Sequence, residues 1–161
     1  MPKILISACL LGEKVRYDGN DCLQTNQRLQ ALIMAKKVIA ICPEMAGGLP
    51  APRDPAEIQT SKTALNVLEG SAKVITYKGH DVTAQYLKGA LAALALAKKH
   101  QIRIAILKAN SPSCGSKKIY DGTFSGKLIP GMGVTAAILS QHGIEVFDEN
   151  QIDEALWRDH L

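Results

Sequence analysis

Three cysteines carry the first chemical signal in this chain. Cys9 follows a short apolar run, KILISA (Lys3 to Ala8). Cys42 follows a second, VIAI (Val38 to Ile41). Cys114 lies seven residues past Leu107, after a third, RIAIL (Arg103 to Leu107). No pair has CxxC spacing, so a zinc ribbon or a thioredoxin-type redox pair is not indicated. A fourth cysteine, Cys22 in DGNDCLQ, reads as structural. Thiolates are soft ligands and select zinc, Cu(I) or iron–sulfur clusters. A set of three with no fourth protein ligand suits a cubane cluster with one iron left open. Catalytic zinc with a Glu or Asp as fourth ligand stays open on these grounds. His80, His100, His142 and His160 all fall in or beside expected helices, away from the polar loops.

Each cysteine sits in a loop dense in polar residues: CLLGEKVRYDG, CPEMAGGLPAPRDPAE and KANSPSCGSKKIYDGTFSG. Glu44 stands two residues from Cys42 in a proline-stiffened turn. A carboxylate held there can act as general base toward water. Ser111, Ser113 and the amides near Gly115 can donate hydrogen bonds to a bound anion or carbonyl. Arg16 and Arg53, with Tyr17 beside the first, are the groups placed to orient a substrate. Tyr17-Asp18-Gly19 and Tyr120-Asp121-Gly122 read as turns first.

These loops need a frame that brings them together. Apolar strands alternate with helices, and the strands are continuously apolar rather than alternating. That predicts an α/β fold, with a Rossmann-like doubly wound, mainly parallel sheet and helices on both faces. Strands are expected at 3–8, 38–41, 103–107 and 145–147, and helices at 24–37, 80–100, 134–141 and 151–157. Residues 64–68 and 73–77 read as a hairpin across Glu69-Gly70-Ser71. Residues 42–61 and 109–130 read as irregular. Ligands of such sheets bind beyond the carboxyl ends of the strands. All three cysteines fall at that edge, so one shared site is expected.

The 161 residues suit one domain spanning 1–161, and 47% hydrophobic content suffices for a core. The net charge of +4 is a mild excess, short of the dense basic patch of a nucleic-acid binder. The first nineteen residues lack a signal-peptide core, and no window has the roughly 18 apolar residues of a membrane span. A soluble, cytoplasmic protein is expected.

The motifs SACLLGEKVRYDG, CPEMAGGLPAPRDPAE, LKANSPSCG and YDGTFSGKLIPGMGVTA, in this order, resemble the DUF523 family, whose characterised members are thiouracil desulfidases. The resemblance implies a 4Fe-4S cluster with one open iron, held by Cys9, Cys42 and Cys114. It implies non-redox removal of sulfur from a thiolated pyrimidine, 2-thiouracil or 4-thiouracil, giving uracil and hydrosulfide. Glu44 then activates water, and Ser111, ahead of Ser113, holds or protonates the ring. Some relatives carry a second domain or an RNA-binding domain; this chain is expected to act as a stand-alone desulfidase. The alternatives are a desulfidase for thiolated nucleosides or thiouridine in RNA, a non-enzymatic iron–sulfur carrier or sensor, and a zinc protein. A homodimer is compatible with a small α/β enzyme.

Overall fold

The computed structural model describes residues 3–159. Strand β1 (Ile4–Ser7) is wholly buried and runs into a 3-10 turn, Ala8–Leu11, that carries Cys9. Helix α1 (Gln27–Met34) starts at Asn26, whose side chain accepts from the N–H groups of Arg28 and Leu29. That cap trims the expected helix 24–37 at its front, because it satisfies first-turn donors. Strand β2 (Val38–Ile41) leads through Cys42 into one turn of helix, α2 (Pro43–Ala46). Then follow β3 (Ala56–Ile58), α3 (Ala64–Glu69), β4 (Val74–Thr76) and the long α4 (Thr83–Lys99). Strand β5 (Ile104–Ile106) precedes a short ladder, β6 (Lys118–Tyr120) and β7 (Leu128–Pro130). Helix α5 (Val134–Gln141), β8 (Glu145–Phe147) and α6 (Ile152–Asp159) close the order.

The main sheet has the order β2-β1-β5-β8, and every pair in it is parallel. Alternate strand residues serve its two faces. Ile4, Ile6, Ile104 and Ile106 pack with Leu29 of α1 and Leu156 of α6. Leu5, Ala105 and Leu107 pack with residues of α3, α4 and α5. The expected doubly wound α/β fold is the observed one. From β1 the chain winds outward to β2 on one side and to β5 and β8 on the other. The switch in direction therefore falls between β1 and β5, where such sheets open a crevice.

Three expectations are corrected. Residues 64–68 form helix α3 rather than a strand. Thr63 and Asn66 make a reciprocal capping box, which nucleates the helix locally. Gly70, at φ 87°, is its C-terminal cap and not a hairpin turn. Strand β4 exists, but it pairs antiparallel with β3, inside the stretch read as irregular. That stretch also holds α2, and the stretch 109–130 holds the antiparallel pair β6–β7. Strands of three residues carry too little periodicity to read from sequence.

Candidate functional site

The carboxyl ends of β1, β2 and β5 border one cavity of about 480 Å³. Cys9, Cys42 and Cys114 all line it, as do Glu44, Ser111 and Arg53. Cys9 lies in the 3-10 turn after β1, and Cys42 is the residue before α2. Cys114 arrives from the loop after β5. Ser7, the last residue of β1, ties that loop down. Its hydroxyl donates to Cys114 Sγ at 3.6 Å and accepts from Lys108 N–H at 2.9 Å. Lys108 is paired in turn with Glu149, Nζ to Oε2 at 2.8 Å, while Glu149 Oε1 accepts from Ala109 N–H at 2.7 Å. Glu149 sits just past β8, so adjacent strands jointly fix the path toward Cys114.

Glu44 carries four polar contacts in the site. Its Oε2 accepts from Arg53 Nε at 2.8 Å and pairs with Arg53 Nη2 at 2.7 Å. The hydroxyl of Tyr86, on α4, donates to the same oxygen at 3.2 Å. Ser111 Oγ donates to the other oxygen, Oε1, at 3.2 Å. Ser111 Oγ also accepts from the N–H groups of Ser113 and Cys114, at 3.0 and 3.1 Å. One hydroxyl thus links the carboxylate to the backbone of the third cysteine.

Two close helix contacts hold this segment. A Cβ added at Gly89 of α4 would lie 1.9 Å from the Pro43 carbonyl oxygen, and one at Gly47 would lie 1.9 Å from that of Gln85. Glycine at both positions lets α4 press its backbone against α2. Tyr86 shares the Gly89 face of α4, three residues away, and so reaches Glu44.

Burial dominates the electrostatics. It pushes the Cys9 thiol up to about 12, and the neighbouring Cys22 and Cys42 add to the rise. Burial and then the Glu44 charge push Cys114 upward. Cys42 is also raised, with burial leading and the Met45 N–H opposing. Burial pulls Arg53 down, but the charges of Glu44 and Cys42 outweigh it and the net shift is upward. Tyr86 is held well above its ordinary value by burial and then by Glu44. All three site thiols are therefore neutral near pH 7 until a metal draws their protons off.

The residues fit a metal cluster by donor chemistry. All four cysteines are free, and three of them meet at one cavity from separate strand ends. Among the described residues, no three His, Cys, Asp or Glu side chains are grouped to hold a single metal ion. Three soft thiol donors from three strand ends are the donor type that iron–sulfur clusters take.

The other expected residues fall as follows. Arg16 and Tyr17 line the cavity, with the Arg16 guanidinium 5.9 Å from the Tyr17 ring centre. Arg53 lines it too, but its side chain is 7% exposed and its Nη1 donates to the carbonyls of Val15 and Pro50. Ser113 is not part of the lining. It is 1% exposed and bonds Thr135 of α5 at 2.7 Å. Cys22 is half-buried outside the lining, and its N–H donates to the Cys9 carbonyl at 2.9 Å. His142 Nδ1 lies 2.9 Å from the Ile138 carbonyl of its own helix, and His80 borders a different cavity. His160 lies outside the described residues.

Sequence reasoning missed Tyr86, Ser7, Lys108 with Glu149, and Glu57. The last stands at the end of the PAPRDPAE motif, 8% exposed, and accepts from the N–H groups of Gly122 and Phe124. Its one sequence signal was its place at the end of that motif. Tyr86 had a fainter one, its spacing of three from a glycine in the middle of a helix.

The sequence profile of the family described as 2-thiouracil desulfurase matches residues 4–151. The chain belongs to that family. A curated relative, the uncharacterized protein YbbK of Bacillus subtilis (strain 168), is 48% identical over 153 residues, covering 95% of this chain and 99% of its own. A solved structure, the 4Fe-4S-dependent thiouracil desulfidase TudS, superposes with a TM-score of 0.89 at 46% identity, covering 98% of this chain and 97% of that one. The likeness to TudS covers 98% of this chain, and so takes in the sheet, the site loops and α2 alike. Among the described residues, no helix is long and apolar enough to cross a membrane.

Proposed function

We propose that this chain is an iron–sulfur-dependent desulfidase that replaces the sulfur of a thiolated pyrimidine, 2-thiouracil or 4-thiouracil, with oxygen from water. The observation that carries this reading is the meeting of three free thiols with Glu44 and Ser111 at one cavity, in a chain of the 2-thiouracil desulfurase family. The cavity also suits a flat ring. The chain has only seven aromatic residues, yet Tyr17, Tyr77, Tyr86, Tyr120 and Phe124 all line it.

Cys9, Cys42 and Cys114 would hold the cluster. When bound, it supplies a Lewis-acidic iron for the soft thiocarbonyl sulfur. The chain's own residues do the proton work. Glu44 accepts a proton from water as the water oxygen adds to the ring carbon. The carbon–sulfur bond then breaks, sulfur leaves as hydrosulfide, and the ring keeps a carbonyl. Two protons of water end on the sulfur and the medium, and no electron is transferred. Ser111 Oγ, beside Glu44 Oε1, is placed to bond a ring heteroatom. Ser113, turned toward α5, would act by holding the loop. Arg16 and Tyr17 would contact the outer part of the ring.

We read residues 1–161 as one catalytic domain, since the site draws on β1, β2 and β5 together. The free cysteines favour a reducing, cytoplasmic setting. The mild charge favours a small substrate over RNA. A homodimer is compatible with this reading.

Anaerobic reconstitution followed by a thiouracil turnover assay tests the proposal. Cluster-loaded protein is expected to release uracil and hydrosulfide. Cys42→Ala is expected to lose both cluster absorbance and turnover, whereas Cys22→Ser keeps both. Full turnover by cluster-free protein would overturn the reading.

A further inference from the structure

We propose that Arg53 and Tyr86 are positioning residues that lock one edge of the Glu44 carboxylate, leaving Oε1 as the edge that works on the substrate; this rests on Glu44 being the base of the proposed desulfidase. The two oxygens of Glu44 have unequal partners. Oε2 takes three donors, Arg53 Nε, Arg53 Nη2 and Tyr86 Oη, at 2.8, 2.7 and 3.2 Å. Oε1 takes one, the rotatable hydroxyl of Ser111 at 3.2 Å.

The donors on Oε2 are themselves anchored. Arg53 Nη1 bonds the carbonyls of Val15 and Pro50, at 2.9 and 3.1 Å, which fixes the guanidinium plane. Tyr86 is 3% exposed, and its ring is packed in the core under α4. Arg53 and Tyr86 also border a second cavity, lined by Leu49, Pro52 and His80 among others. They therefore stand as a partition behind the carboxylate.

Three donors converging on one oxygen fix where Oε2 lies, and the Ser111 bond to Oε1 then sets the direction of the other edge. With Oε2 saturated, a water that is to lose a proton must approach Oε1. That oxygen neighbours Ser111, whose Oγ is tied to the Cys114 amide. The arrangement aims the basic edge at the space beside the third cysteine. Arg53 thus acts on the substrate through Glu44 rather than by touching it.

The test uses Tyr86→Phe, Arg53→Lys and Arg53→Met in the reconstituted enzyme, and carbon-13 spectra of glutamate-labelled, metal-free protein. The Glu44 carboxyl signal is assigned by its loss in Glu44→Gln. Tyr86→Phe is expected to lower kcat at least about tenfold, the scale of a hydrogen bond to a charged group, with KM and cluster absorbance unchanged. It is also expected to move the Glu44 carboxyl signal. Arg53→Lys retains more turnover than Arg53→Met, since the ammonium keeps the charge without the fork. An unmoved Glu44 signal in Tyr86→Phe overturns the proposal whatever the substrate is. So does an unchanged kcat in an enzyme that turns over thiouracil. A wild type inactive on thiouracil that still shows the shifted signal refutes the substrate reading and leaves the locked edge supported.

Discussion

Replacing Gly89 with alanine tests whether the packing of α4 on α2 sets the active site. On helix propensity alone the change should stabilise by about 1 kcal/mol, because Gly89 lies mid-helix. The structure predicts the opposite. The new Cβ would sit 1.9 Å from the Pro43 carbonyl oxygen, where an ordinary carbon–oxygen contact is about 3.3 Å. The backbones must part by roughly 1.4 Å. They cannot slide instead, since Gly47 makes the reciprocal contact with the Gln85 carbonyl. Overpacking costs up to about 3 kcal/mol, and more against rigid backbone, so the net loss is about 2 kcal/mol or greater. For a chain of this length that lowers Tm by about 4–8 °C. Pro43 lies between Cys42 and Glu44, so a shift of about an ångström reaches both. Misplacement on that scale costs on the order of a hundredfold in turnover. Thermal unfolding of the metal-free protein and turnover of the reconstituted enzyme measure the two effects. Ala95→Gly, on the exposed face of the same helix, should lose about 1 kcal/mol and no activity. A Gly89→Ala protein as stable and as active as wild type would refute the reasoning.

Ser111→Ala removes the acceptor of two N–H groups and the donor to Glu44 Oε1. It is expected to destabilise the metal-free protein by about 1–3 kcal/mol and to lower turnover; an unchanged Tm would show that water replaces the hydroxyl without loss. Asp81 bears on pH. Hydrogen bonds from Thr83, from its side chain and then its N–H, hold the Asp81 carboxyl below its ordinary 3.8. The folded pKa is depressed, so its contribution is present above the unfolded value and lost as pH falls through the folded one. The stability gap between wild type and Asp81→Asn should stay constant above about pH 5 and close on acidification through pH 4 and below, read by denaturant unfolding at each pH. A gap that widens on acidification would contradict the assignment.

The parts of the fold that were legible in the sequence are those whose signal is long or doubly buried. The main strands read clearly because both faces of the sheet are covered, which makes Ile4–Ser7 and Ile104–Ile106 continuously apolar. Helix α5 and β8 also match their expected spans, 134–141 and 145–147. What failed was short. Residues 64–69 are apolar enough for either state, and a single capping pair, Thr63 with Asn66, decided for helix. Strands β3 and β4 hold each other, and each alone is too short to announce itself.

The site divides in the same way. Strand order converts position along the chain into position in space, so cysteines after β1, β2 and β5 could be brought together without a local motif. Sequence could name Glu44 because it travels with Cys42. It could not say which oxygen of Glu44 is engaged, because that depends on Tyr86, forty-two residues away on a helix read only for its apolar face. Arg53 shows the limit most clearly. Its proximity to the site was legible from the proline-rich loop, but its role was not. Only the structure shows its guanidinium on Glu44 Oε2 and on the Val15 and Pro50 carbonyls, the contacts from which a positioning role is proposed. Residues that touch the reacting atoms leave a signature of type and spacing. Residues that orient them leave one only in geometry, since any side chain that reaches with the right donor will serve.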